Sequence, residues 1–164
     1  MKKPQILTGA NLFVEGVGHL GTSKIMTLPK LEFETEKQST GGLTRHIDLA
    51  TLKEMEAEFE LEEYSSVVYT ALKKRTGDAA FLVKANIRQG ARDLPVIATL
   101  KGVVSLLDDG TMESKKQAAR KVKLGVNYYS LELDGKQEVL VDVENMILEI
   151  DGVDLLEQAR ANLV

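Results

Sequence analysis

Two histidines and a row of glutamates are the residues whose types and spacing could do chemistry. His19 lies within Gly16-Val-Gly18-His19-Leu-Gly21, and His46 stands two positions before Asp48. A histidine close to an aspartate begins a general-base arrangement, and a hydrolase would need a nucleophile within its reach. The sequence offers none at a characteristic spacing, so both histidines read as solvated loop or strand residues. The glycines follow the spacing of a G-x-G-x-x-G turn, which cradles phosphate only between a strand and a helix of a βαβ unit. No helical pattern follows Gly21. Glu54, Glu56, Glu58 and Glu60 are hard-cation ligands by type, but ligands on alternate residues of one strand form a line and do not wrap around an ion. The expectation is no catalytic residue, no metal ligand and no cofactor.

The glutamates are organised by the stretch Lys53 to Glu63. Met55, Ala57, Phe59 and Leu61 alternate with them, so a strand turns one apolar face to a core and one acidic face to water. Neighbouring glutamates on that face lie about 7 Å apart and repel by roughly 0.6 kcal/mol per pair in water. Two readings of the acidic face stand side by side. It is a solvated face paired across strands with Lys84 and Arg88, or with Lys121 and Lys123, or it is a wall kept acidic so that a polyanion slides past without sticking.

Composition narrows the field. The 164 residues suit a single domain over 1–164, and the formal charge of -4 lacks the basic surplus of a nucleic-acid-binding surface. With no cysteine there is neither a disulfide nor a thiolate metal site. No apolar run approaches the roughly 20 residues of a membrane span. The start, Met-Lys-Lys-Pro-Gln-Ile-Leu-Thr-Gly, has no apolar core of signal-peptide length, so folding in the cytoplasm is expected.

In chain order, Asn11 to Glu15 reads as a strand ended by Gly16. Lys24 to Glu36 reads as another, with Pro29 marking an edge position or a bulge. The polar stretch Lys37 to Arg45, centred on Gly41-Gly42, reads as the tip of a long hairpin spanning about 31–61. Tyr64, Val67, Val68, Ala71 and Leu72 then repeat at helical spacing. Ser65 or Ser66 can cap that helix, Lys73, Lys74 and Arg75 complement its carbonyl end, and Gly77 can close it. Strands resume at Ala80 to Arg88 and Leu94 to Leu107, and Asp108 to Arg120 reads as an exposed connection. Val122, Leu124, Val126 and Tyr128 alternate in one phase, whereas Tyr129, Leu131 and Leu133 follow the other. A β-bulge or two-sided burial produces that slip. Asp134-Gly135 marks a tight hairpin into Glu138 to Val143, and Asp154 onward carries a short terminal helix. The fold class is mainly β: a β-sandwich or partly open barrel of seven or eight strands, with one central amphipathic helix and a short C-terminal helix.

Several blocks in order resemble a known family. Asn11-Leu-Phe-Val-Glu-Gly16, Met26-Thr-Leu-Pro-Lys-Leu31, the Gly41-Gly42 tip, Tyr128-Tyr129 with Leu131 and Asp134-Gly135-Lys136, Asn145-Met146, Gly152-Val-Asp-Leu155 and Asn162-Leu163 are similar to the major tail tube proteins of contractile-tailed bacteriophages and R-type tailocins. The resemblance covers nearly the whole chain, although Glu63 to Lys121 matches mainly in pattern. It implies a structural protomer that forms hexameric rings, stacked into a virion tail tube inside a contractile sheath and assembled in the host cytoplasm. The lumen of that tube would conduct DNA without specific binding.

The resemblance further implies that Gln38, Ser39, Thr40, Gly41, Gly42 and Leu43 form an inter-ring element, while Glu54, Glu56, Glu58 and Glu60 face the lumen. Met55, Ala57, Phe59 and Leu61 are then the core of the hairpin strand. The implied partners are further copies of the chain, the sheath protein, the tape-measure protein, the baseplate hub and the tail terminator, and no membrane. A tube subunit of a tailocin, a type VI secretion system or another contractile injection system shares the same expectations. A small-ligand-binding β-barrel is a distant alternative, disfavoured by an aromatic content of 5%.

Overall fold

A computed structural model describes residues 1–164. Its strands are β1 (Gln5–Val14), β2 (Val17–Gly18), β3 (Ser23–Thr27), β4 (Phe33–Thr40), β5 (Leu43–Leu52), β6 (Met55–Leu61), β7 (Ala79–Gln89), β8 (Arg92–Asp108), β9 (Arg120–Leu133), β10 (Lys136–Asp142), β11 (Ile147–Ile150) and β12 (Val153–Asp154). Helix α1 (Val67–Lys73) interrupts them and α2 (Glu157–Leu163) ends the chain. Ten strands form one hydrogen-bonded network in the order β12-β11-β10-β9-β8-β7-β1-β2, with β6 joined to β9 and β3 to β6. The sheets do not close into a barrel, and β4 and β5 pair only with each other.

Two layers arise because β9 changes partners along its length. Its first half, Arg120 to Val126, pairs with β6, and its second half, from Tyr128, pairs along the same edge with β10. One layer is therefore β3-β6-β9-β8, built from the first half of β9 and the last residues of β8. The other runs from β1 through β7, the remaining halves of β8 and β9, and on to β12. The layers face each other across a single apolar cluster, in which the rings of Phe59 on β6 and Phe81 on β7 stack at 5.2 Å and 5°. Such stacking adds about 1 kcal/mol to the burial of the two rings.

The phase slip in β9 is a bulge. Lys101 pairs with Tyr128 and Gly102 with Val126, leaving Asn127 without a partner on β8. Burial follows: Val122, Leu124 and Val126 point inward, and beyond the extra residue Tyr129 does. The unpaired stretch is still used, because the Asn127 carbonyl accepts the Val143 amide at 3.0 Å.

Several expectations change. The run Lys24 to Glu36 is two strands, β3 and β4, with Leu28 to Glu32 between them; Pro29 cannot donate to a ladder, and its buried ring ends β3 where an edge position or bulge was expected. The hairpin spans Phe33 to Leu52 and not 31–61, so Met55, Ala57, Phe59 and Leu61 form the core of a strand of the body and not of the hairpin. Helix α1 buries Val68 and Ala71, but Ser66 at its N-cap makes no side-chain cap bond, and the chain turns extended at Lys74, before Gly77. Asp134-Gly135 forms the expected turn with both residues at positive φ, and Asp151-Gly152 repeats it between β11 and β12. Neither of those last two strands was expected. The segment Asp108 to Arg120 is a mostly exposed connection, with Asp108 still in β8, Asp109 and Ala118 half-buried and Arg120 wholly buried.

Candidate functional site

Strand β6 lies between β3 and β9, and its alternation does what the sequence prescribes. Met55, Ala57, Phe59 and Leu61 are buried, while Glu54, Glu56, Glu58 and Glu60 lie on the opposite face, Glu54 one residue before the strand. Glu56 stands opposite Gly125, Glu58 between Thr27 and Lys123, and Glu60 between Ile25 and Lys121. The face is thus a ladder in which a glutamate row runs beside a lysine row. These are register neighbours without closed ion pairs. Lys84 belongs to the other layer, where its ammonium sits 5.5 Å over the Phe13 ring. Toward the hairpin, Glu54, Glu56 and Glu58 line a polar cleft of about 410 Å³ together with Lys30, Lys53 and Lys123.

The layer that carries this face has two unpaired sides. β3 bonds only to β6, and Val103 to Asp108 of β8 bond only to β9. Along the second side one carbonyl is occupied, since Arg75 Nη1 donates to Val104 O at 2.8 Å. A strand edge of this kind is a template for pairing with another chain.

The hairpin stands apart from the body. Leu31, Phe33 and Leu52 anchor its base against the core, and Lys53 closes it by donating its amide to Glu32 O at 2.7 Å. Beyond that base nearly every residue is exposed, including Gln38, Ser39, Thr40, Gly41 and Gly42, with Leu43 at 78%. His46 lies on β5 opposite Lys37, and the Asp48 carboxylate accepts the Ala50 amide at 2.9 Å within its own turn. His46 and Asp48 therefore form no acid–base pair.

His19 is not a solvated loop residue. It is 2% exposed, with Nδ1 3.3 Å from Leu12 O and Nε2 3.2 Å from Glu63 Oε1. Its own carbonyl accepts the Thr22 and Ser23 amides, so the turn between β2 and β3 winds around it. Gly21 lies in that turn at positive φ, and a strand, not a helix, follows it.

Arg120 went unread in the sequence. It is 0% exposed; Nε donates to Asp109 Oδ1 at 2.6 Å, Nη1 donates to Ser65 O at 2.9 Å, and the guanidinium lies 5.4 and 5.1 Å from the ring centres of Tyr64 and Tyr69. Nη2 is buried without an oxygen partner, beside the two rings. Tyr69 also donates its hydroxyl to Asp109 Oδ2 at 2.9 Å. Hydrogen bonds from Arg120 first and Tyr69 second hold the Asp109 carboxyl below the usual aspartate range. A signal was present, because Arg120 continues the inward phase of Val122, Leu124 and Val126.

Elsewhere, an apolar cleft of about 550 Å³ opens at the margin of the sandwich, between the hairpin base and β9 to β11, with Leu52, Met55, Val126, Val141 and Leu148 among its lining. No three His, Asp or Glu side chains converge as metal ligands would, and no helix is long and apolar enough to cross a membrane.

A charged ladder on a layer with open edges, joined to a projecting hairpin, is suited to assembly. Comparison with known proteins agrees. A family profile described as phage tail tube protein FII matches residues 4–163. The tail tube protein of Escherichia phage P2 is 29% identical to this chain over 170 aligned positions, covering 99% of each. The chain belongs to the phage tail tube protein FII family, a family of structural virion proteins and not of enzymes.

Proposed function

We propose that this chain is the protomer of the inner tube of a contractile phage tail, in which six copies close a ring and stacked rings enclose a lumen that conducts DNA. The observation that carries this reading is the β3-β6-β9-β8 layer, with an unpaired edge on each side and one charged face. Lateral pairing of the β3 edge of one copy with the β8 edge of the next would continue the sheet around a ring and leave no edge exposed. Glu54, Glu56, Glu58 and Glu60, with Lys121 and Lys123 beside them, then face the lumen. A net charge of -4 per copy gives the ring an acidic field that does not retain phosphate. The other layer faces outward, toward a sheath protein. Tape-measure protein, baseplate hub and tail terminator complete the partners, and assembly takes place in the bacterial host cytoplasm.

Electron microscopy of the purified protein, alone and with tail partners, tests this. Six-fold rings and tubes with the β6 glutamates on the inner wall are expected. A protein that stays monomeric at every concentration, even with those partners, would falsify the tube assignment. Finding the β6 glutamates on the outer wall sinks the lumen assignment alone.

A further inference from the structure

The two free edges of the β3-β6-β9-β8 layer are not equally safe. β3 is five residues long, carries Lys24 and is followed by Pro29, all of which keep an edge from pairing at random. The β8 edge reads Val103-Val-Ser-Leu-Leu-Asp108, two valines and two leucines with no lysine, no proline and an acid only at the end. An apolar segment of high β propensity and low charge, left on an open edge, pairs with strands indiscriminately. Two features interrupt it at one point. Ser105 is a bulge, because Val104 pairs with Leu124 and Leu106 with Lys123. Beside that bulge, Val104 O accepts Arg75 Nη1 at 2.8 Å.

The local chain holds Arg75 in reach of this carbonyl. Helix α1 ends at Lys73 and the backbone turns extended at Lys74, whose ammonium is fixed by Glu15 at 2.7 Å. Glu15 also accepts the Ala80 amide at 2.9 Å, so one carboxylate ties down both ends of the link that carries Arg75. Arg75 itself is exposed, and it donates to main-chain oxygens, Val104 O and, at 3.4 Å, Leu72 O, and to no carboxylate. Its guanidinium can therefore swing aside without breaking an ion pair.

We propose that Arg75 is a guard on the β8 edge: in the free protomer it occupies the carbonyl that an incoming strand must use, and ring closure displaces it when an amide of the next copy's β3 takes Val104 O. The inference rests on the tube reading above and deepens it by giving the seam an autoinhibitory contact. A stray strand that makes one or two hydrogen bonds does not offset the loss of the Arg75 bond. The matching β3 edge, which supplies a run of them, does.

Arg75→Met keeps an unbranched stem and removes the donors, Arg75→Ala removes both, and Arg75→Lys keeps a charged donor. Association is followed by light scattering and electron microscopy over a concentration series, with urea midpoints of the dilute protein measured beside it. The methionine and alanine variants should begin to associate at a concentration about tenfold below the parent's, the fold-change of one charged hydrogen bond, with the lysine variant in between and urea midpoints close to the parent's. In a reconstruction of the parent tube, Val104 O should bond to a β3 amide of the adjacent copy, with Arg75 elsewhere. An onset unchanged or raised in the methionine and alanine variants, or a parent tube in which Arg75 still holds Val104 O, overturns the guard and leaves the tube reading standing. If the parent forms neither rings nor tubes, alone or with tail partners, the tube reading fails and the guard fails with it.

Discussion

A Cβ added to Gly102 would overlap the carbonyl oxygen of Gly125. The two glycines lie beside the bulge at Asn127, where the paired strands β8 and β9 pass from one layer to the other. The backbones approach so closely that only a residue without a side chain fits at position 102. Gly102→Ala should therefore destabilise the subunit by about 1–3 kcal/mol, as overpacking does. At Gly125 a Cβ would meet only Val103 O, at an ordinary 3.6 Å, and Gly125→Ala should cost less than about 1 kcal/mol. Urea midpoints of the two variants check the contrast.

Replacing Arg120 with alanine should cost about 2 kcal/mol or more, because a desolvated guanidinium between two tyrosine rings is lost. Arg120→Lys should recover little of it, since an ammonium cannot donate along the same plane to Asp109 and Ser65 while lying against both rings. Denaturant unfolding of both variants measures this, and full recovery by lysine would refute the stacked geometry.

Asp109 contributes a pH dependence of known sign. Its folded-state pKa is held below the ordinary aspartate value of 3.8, mainly by the hydrogen bond from Arg120. The stabilisation is fully present above that ordinary value and is lost as pH falls through the folded pKa. Asp109→Asn should be less stable than the parent at neutral pH and show a smaller loss on acidification below pH 3.8. Unfolding midpoints measured across the acid range test it, and parallel curves would contradict it.

The two histidines should behave oppositely. His19→Ala empties a buried site and removes the contacts to Leu12 and Glu63, for an expected loss of about 2 kcal/mol. His46→Ala alters an exposed hairpin residue and should stay within about 0.5 kcal/mol of the parent. Thermal and urea unfolding decide the matter, and a marked loss at His46 would mean that the hairpin packs on the body.

Deleting Gln38 to Leu43 should leave the subunit folded with little change in stability, because β4 and β5 pair with no other strand. Tube length is where the deletion should act. Mean length measured by microscopy should collapse toward single rings, and normal tubes would remove the hairpin from stacking.

Much of the fold was legible wherever a pattern spans several residues. The β6 alternation fixes which side chains are buried, the slip after Val126 marks the bulge, and Asp134-Gly135 marks its turn. Partnership was not legible. Alternation cannot say whether Met55 to Leu61 pairs with the hairpin or with β3 and β9, and the break at Lys53-Glu54 looks the same in either case. His19 is buried by groups from two distant segments, and an isolated residue writes no period. β2 and β12 have two residues each, too few for any pattern. Of the candidate site, the shared face of the glutamates could be read, but the choice of Lys121 and Lys123 over Lys84 and Arg88 as their neighbours needed the β6–β9 register.

The sharing of β8 and β9 between layers has a mechanical consequence. In a sandwich joined only by side chains, a load applied to one layer can make it slip over the other. Here the two longest strands belong to both layers. Slippage would have to break ladder hydrogen bonds beside the Asn127 bulge, where Lys101 pairs with Tyr128 and Gly102 with Val126, so thrust or torsion received on one wall of the subunit passes covalently to the other, without a shear plane between them.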